Sequence, residues 1–403
     1  MTATKAWLPP LRALSLQRAG VVYALALLVA GLQTYSLIVG RAPYLTADNV
    51  ANVLEQTSLV AIMAVFMTIV LITGNFDLSV GATAALSGAV ALKVLDSLGA
   101  PLAFLVAVLV GLAIGLLNGV LVQFVGVNAF IVTLGTLTAG RGALLLLTDG
   151  RTVTADSDAF VTLESGDYQL PIALGYVSAA ALVGGAVFLC LRRTARGDVA
   201  RLGGPVIPLA ISGAALLGVA VYAPRLLRLP TSVWIMIALT AIVGSILRFT
   251  VVGRRVYATG GNVEAARLAG INVARYRVAA FMLNGAAAAV VGVLYAGKLG
   301  AINPQALQGI ELTILAAAIL GGTSLLGGLG SVAKSVIGAL ILFVLANGFN
   351  ILNLGANWQG LVQGVVIVAA ATIYTAAGRK RRKVAGPAVS ETPPVKPPNQ
   401  IAS

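Results

Sequence analysis

The stretch Gly328–Ser335, GLGSVAKS, comes within one residue of a phosphate-binding loop: Ala333 stands where the pattern GxxxxGK[ST] needs its second glycine. The same residues also imitate GxGxxA. A phosphate loop follows a strand and wraps its backbone around the anion. Here apolar, helix-length runs lie on both sides, so the stretch reads as a tight turn between membrane helices. Lys334 could snorkel from that turn to an interface. Other chemistry has less to work with. The 403 residues contain no histidine, which removes His metal sites and Ser–His or Cys–His pairs. Cys190 is the single cysteine, so no intrachain disulfide framework exists. The chain is expected to be no enzyme, with no catalytic or metal site and no bound cofactor.

What remains is polar groups set in apolar runs. In GNFDLSVG (Gly74–Gly81), Asp77 falls where one helix ends and another starts. Its carboxylate can accept hydrogen bonds from the free N–H groups of the next helix, aided by the helix dipole. A gating or subunit-contact role for Asp77, Ser79 and Gly81 is the alternative. Arg141 lies deep in a span, where a charge is costly and is by default a functional candidate. It could instead anchor backbone carbonyls, with Gly140 and Gly142 leaving room. Further amides and hydroxyls include Gln56, Thr57, Asn118, Thr133, Thr136, Asn284, Asn347 and Asn350. Their donors and acceptors suit the hydroxyls of a neutral solute. Most such groups simply bond between helices. Gln56, Asn118, Thr133, Asn284 and Asn347 stand as substrate-path candidates.

These groups are held by membrane helices. The chain is 59% hydrophobic and only 10% charged, with 46 glycines, against about 25% charged residues in a soluble domain. Apolar runs of about 20 residues span a bilayer. Twelve are present, at about 19–40, 53–73, 78–95, 101–125, 128–148, 171–191, 203–223, 230–250, 278–299, 310–326, 331–352 and 357–377. The expectation is an all-α polytopic membrane protein with both termini cytoplasmic. With the N-terminus inside, 19 of the 27 Lys and Arg fall on the cytoplasmic side, and the acidic loop 149–170 falls opposite. The net charge of +14 thus reads as orientation, not nucleic-acid binding. Residues 1–18 form a basic cytoplasmic segment, 19–377 the membrane domain, and 378–403 a basic, then Pro-rich tail expected to be disordered. Two Gly-interrupted stretches, 73–92 and 320–340, look like distant relatives, as in the paired broken segments of transporters.

One polar stretch interrupts this pattern: GNVEAARLAGINV, residues 261–273. Asn262 is a good N-cap, and Glu264 sits in the first turn, where it complements the dipole. Arg267, three residues on, can pair with Glu264. Gly270 suits the left-handed position that ends a helix. Two turns are marginal alone, so this helix must dock on something. Anionic membrane lipid and a protein partner are both open.

YATGGNVEAARLAGINV (257–273), GNFDLSVGA (74–82) and ILGGTSLLGGLGSVAKSVIGALI (319–341) together resemble the permease subunits of ribose/xylose-type sugar ABC importers. FIVTLGTLTAGRG (130–142) and NWQGLVQGVVIV (357–368) fit the same family. The resemblance covers about 45–377. It implies a type II-like importer permease fold in the bacterial inner membrane. It also implies a coupling helix at about 261–271 that docks on the ATPase, carried by Gly261, Asn262, Glu264, Ala265, Arg267 and Gly270. Gly321 and Gly322 are carried over as motif positions. Partners implied are a second permease copy, an ATPase with two fused cassettes that uses ATP and Mg, and a periplasmic sugar-binding protein. A middle insertion at about 165–230 is similar to that of xylose permeases, which makes D-xylose the expected cargo, with ribose, galactose or another pentose or hexose as alternatives. Asn75–Phe76 departs from the family's usual Gly or Glu followed by Ile. A stand-alone secondary transporter would need intramembrane carboxylates. Glu55, Asp77 and Glu311 all fall near predicted helix ends, which argues against it.

Overall fold

The computed structural model describes residues 16–154 and 229–353, with isolated helical positions at 180, 184, 187 and between 358 and 372. Eight helices among the described residues are long and apolar enough to cross a membrane. In chain order, the helices are α1 (Leu16–Ile38), α2 (Ala47–Ile72), α3 (Val80–Leu98), α4 (Ala100–Val120) and α5 (Ala129–Thr148). After the undescribed middle come α6 (Thr231–Phe249), α7 (Val251–Gly261), α8 (Val263–Leu268), α9 (Val273–Leu299), α10 (Ile310–Leu320) and α11 (Val332–Ile351). The expected spans at 171–191 and 357–377 and the middle insertion lie largely outside the described residues, and the span at 203–223 and the tail wholly so.

Several expectations need correction. The run 310–326 is not a span: its helix has 11 residues and stops at Leu320. Gly321 and Gly322 follow as a turn, and the backbone stays non-helical to Ser331. The chain is also not wholly α. Val153–Thr154 (β1) pairs antiparallel with Ala301–Ile302 (β2), Val153 opposite Ile302. α2 begins at Ala47, six residues earlier than the apolar run, because Thr46 caps it by accepting the Asn49 N–H at 3.2 Å. Glu55 is therefore two turns inside that helix, where it pairs with Lys298 at 2.7 Å.

α2 is the central helix. From Val60 to Ile72 almost every side chain is enclosed, and it packs against α6, α9, α10 and α11. The α3–α4–α9 group is held by bare backbone. A Cβ on Gly111 would overlap the Gly285 carbonyl, one on Gly115 the Phe281 carbonyl, and one on Gly88 the Gly292 carbonyl. Small residues let membrane helices approach this closely, so dispersion and polar contacts replace a hydrophobic force that lipid cannot supply. The outer faces of α4 and α5 carry Leu105, Leu109, Ile131 and Leu146, all exposed, as befits helices bathed in hydrocarbon.

The bundle has two distinct ends. At one, the C-terminus of α2, the α7–α8 pair, the start of α9 and residues 321–331 converge. At the other, the β1–β2 pair sits by α3, and Ile302 reaches Gly88.

Candidate functional site

α8 is a six-residue helix built as its sequence requires. Asn262 is extended (φ −155°, ψ 106°), and its side chain accepts the Ala265 N–H at 3.0 Å. At the far end Gly270 is left-handed (φ +75°), and Ile271 N–H donates to the Ala266 carbonyl at 2.9 Å. Ala266 is its only buried side chain. Glu264, Ala265 and Arg267 point outward. Glu264 and Arg267 form no ion pair; among the described residues the one salt bridge is Lys298–Glu55. Two exposed side chains three apart gain too little in water to hold one geometry. Leu268 is 86% exposed and Leu326, in the 321–331 segment, 89%.

α8 stands on a junction of three backbones. A Cβ on Gly260 would overlap the Ile72 carbonyl oxygen and lie 2.8 Å from Gly328 N. Gly328 N–H itself donates to Ile72 O at 2.8 Å. A Cβ on Gly327 would meet Gly74 Cα at 2.9 Å. The C-terminus of α2, the last residues of α7 and the GGLG turn thus touch with no side chain between them. Tyr257 reinforces the contact by donating its hydroxyl to Gly330 O at 2.9 Å, and burial pushes its phenol pKa up. Behind the junction, Thr68 Oγ1 lies 2.7 Å from Ser335 Oγ, which lies 3.3 Å from Thr323 Oγ1. The near-phosphate loop is therefore a packing turn: its glycines admit neighbouring backbone.

The 73–79 segment enters the bundle without helical structure, and Asp77 satisfies it. Ser79 donates both its N–H (2.9 Å) and its hydroxyl (2.6 Å) to Asp77 Oδ1. Asn284 of α9 donates to Asp77 Oδ2 at 3.1 Å, and Asn118 of α4 donates to Ser79 Oγ at 2.9 Å. All four residues are buried. Irregular backbone at this depth survives only when such donors enclose it. The expected bonds from Asp77 to N–H groups of the next helix do not form; it accepts instead the N–H of Ser79, the residue before α3, and the network ties the start of α3 to α4 and α9.

Arg141 anchors carbonyls. Its two terminal nitrogens donate to Ala306 O at 2.6 Å and to Leu307 O at 2.9 Å. The loop needs this clamp, because Leu307 is left-handed at φ +56°, a conformation that costs about 1–3 kcal/mol outside glycine. Gly81 lies against the same loop: a Cβ there would be 2.5 Å from Glu311 Oε2 and 2.9 Å from Leu307 O.

The other substrate-path candidates are not brought together. Gln56 donates to Asn52 on its own helix at 2.7 Å, and Thr133 donates to Ala129 O at 2.8 Å. Asn347 is buried in α11, and its side-chain oxygen has no hydrogen-bond partner among the described residues. The short-helix motif begins at Gly261 and does not mark Gly260. The signal for Gly260 is the doubled glycine itself, opposite a second glycine-rich turn.

The family described as "Branched-chain amino acid transport system / permease component" matches residues 49–371. The xylose transport system permease protein XylH of Escherichia coli K12 is 38% identical over 349 residues, covering 84% of this chain and 87% of that one. XylH of Haemophilus influenzae is 35% identical, covering 89% and 97%. The ribose import permease protein RbsC of E. coli K12 is 34% identical, covering 92% and 95%. No solved structure matches the chain. The relatives are transport subunits, and so is this chain, which is not an enzyme. The capped helices, the broken segments and these relatives agree: the chain belongs to the ribose/xylose-type permeases of ABC importers, multi-pass proteins of the bacterial inner membrane.

Proposed function

We propose that this chain forms the membrane pathway of an ATP-driven importer for a neutral monosaccharide, with D-xylose the first candidate and ribose the second. The ranking rests on the 35–38% identity to XylH proteins and 34% to RbsC. In this reading a second permease copy completes the pathway, a periplasmic binding protein delivers the sugar, and a duplicated-cassette ATPase supplies ATP and Mg chemistry. The α8 end faces the cytoplasm, as do both termini, and α8 is the coupling helix. The eight described spans, together with the apolar runs at 171–191, 203–223 and 357–377, make up a type II-like permease.

One observation carries the coupling role. Among the described residues, the two most exposed large apolar side chains are Leu268, on α8, and Leu326, on the segment that touches Gly260 and Gly261 just before α8. Exposed apolar side chains rimmed by polar ones mark a protein or membrane interaction surface when they form one patch; here the polar rim of Glu264 and Arg267 favours a protein. A push on that surface meets the Gly260 junction, with no compliant side chain between it and α2, α7 and the 321–331 segment. Those elements border the Thr68–Ser335 contact and, through the 73–79 segment, the Asp77 network.

The test is uptake of labelled D-xylose into proteoliposomes holding the permease, its ATPase and its binding protein. Glu264→Lys reverses a charge on the exposed face of α8 without touching its caps. Uptake is expected to fall at least tenfold while the permease still elutes as a folded species. Undiminished uptake in that variant, or wild-type uptake without the ATPase, overturns the reading.

A further inference from the structure

A wide-open surface cavity of about 600 Å³ lies beside the Arg141-clamped loop, between the end of α9 and the first turns of α10. Its polar lining is Tyr295, Asn303, Gln305, Gln308 and Thr313, and no lining residue is charged. Ligand sites for small molecules fall in this size range.

The side chains of Tyr295, Gln305, Gln308 and Thr313 make no hydrogen bond within the described residues, and Gln305 and Gln308 are exposed. Asn303 is otherwise engaged: its side-chain oxygen accepts the Gln305 N–H at 2.9 Å. In a membrane bundle, free amides and non-helical backbone are tolerated where they face a water-filled space. The backbone around them is held firmly. Arg141 grips Ala306 and Leu307, and Ile302 is fixed in the β pair. The floor of this region reaches Gly81, two residues from Ser79 of the buried network.

We propose that this cavity is a transit site for a neutral, polyhydroxylated solute, whose hydroxyls exchange hydrogen bonds with Gln305, Gln308, Tyr295 and Thr313. The inference rests on the sugar-import reading and locates the site within it. Carboxamides and hydroxyls both donate and accept, so they match sugar hydroxyls in any orientation. An amino acid would need an anion for its ammonium and a cation for its carboxylate, and the lining offers neither. The nearest charges do not line it: Arg141 is engaged by two carbonyls, and Glu311 packs its side chain against Gly81, outside the lining.

The experiment uses the complete importer in proteoliposomes with labelled D-xylose, and L-leucine in parallel. Gln305→Leu and Gln308→Leu alter exposed side chains that make no hydrogen bond among the described residues. Each is expected to lower the sugar imported per ATP hydrolysed about fivefold, the value of one hydrogen bond, and the double variant more. Gln308→Asn restores part of the loss. A wild-type complex that imports L-leucine and not D-xylose ends the import reading and this inference together. Wild-type xylose uptake with an unchanged ratio in the double variant ends this inference alone. If the double variant does not assemble, Gln308→Cys in a Cys190→Ser chain decides. A membrane-impermeant maleimide is expected to label it from the binding-protein side, and excess D-xylose to slow labelling at least twofold. Absent labelling, or labelling indifferent to D-xylose, overturns the proposal.

Discussion

The Gly260 junction and the loop at 303–309 are both irregular backbone in an otherwise helical bundle, yet they are built oppositely. At the junction three backbones touch and leave no space for a methyl group. At the loop, one guanidinium holds two carbonyls and leaves a cavity of about 600 Å³ beside them. Close-packed backbone has low compressibility and passes a displacement on. An open loop with free amides can exchange partners at little cost. The first suits a mechanical connection, the second a solute that must bind briefly and leave.

The comparison breaks most decisively at Gly260. Gly260→Ala forces a Cβ into the Ile72 carbonyl, and overpacking of this severity costs about 3 kcal/mol or more. The expected result is a large fall in melting temperature, or no assembled permease. Gly261→Ala is the control, because a Cβ there meets nothing closer than Gly328 Cα at 3.9 Å. Its melting temperature should stay near wild type, and equal losses would erase the distinction between the two glycines.

Arg141 is next. Arg141→Ala leaves two carbonyls and a left-handed Leu307 without support, and should cost about 2–3 kcal/mol. Arg141→Lys keeps the charge but loses the planar fork, so it should recover less than half the loss in a thermal melt. Full recovery would show that charge, not geometry, holds the loop.

A smaller effect belongs to the buried network. Asn284→Leu removes the donor to Asp77 Oδ2 and should cost about 1–2 kcal/mol in a thermal melt. A neutral outcome would mean that Ser79 alone stabilises the 73–79 segment.

The smallest is Tyr257→Phe, about 1 kcal/mol at neutral pH. Burial raises the Tyr257 pKa above its model-peptide value of about 10. An acid whose folded pKa is raised stabilises the fold fully below the unfolded pKa and loses that contribution as pH rises through the folded one. The difference in melting temperature between wild type and the Tyr257→Phe variant should therefore hold to about pH 10 and shrink above it. A difference that stays constant well above that pH would detach Tyr257 from the junction.

Much of this was legible in the sequence, and for identifiable reasons. Asn262 and Gly270 act locally: a cap and a left-handed terminus depend on the residues within one turn, so α8 could be read directly. Long apolar runs likewise announced the eight described spans. The 310–326 run misled because hydropathy counts apolar residues, not hydrogen bonds, and Gly321–Gly322 stops the helix inside it. The Glu264–Arg267 pair was permitted by spacing and not formed, since spacing sets opportunity and solvent sets the gain. Gln305 and Gln308 drew no notice, because a glutamine in a connecting loop looks like any surface residue.

By itself the sequence determined the class of molecule, the family and the local helix ends, because hydrophobicity, capping and motif order are properties of neighbouring residues. Only the tertiary structure decided which glycines are sterically necessary, which polar residues share a network and where free amides face a cavity. Those depend on segments far apart in the chain, such as Ile72 with Gly260 and Gly328, or Arg141 with Leu307. No local rule specifies which distant backbone a glycine or an arginine will meet.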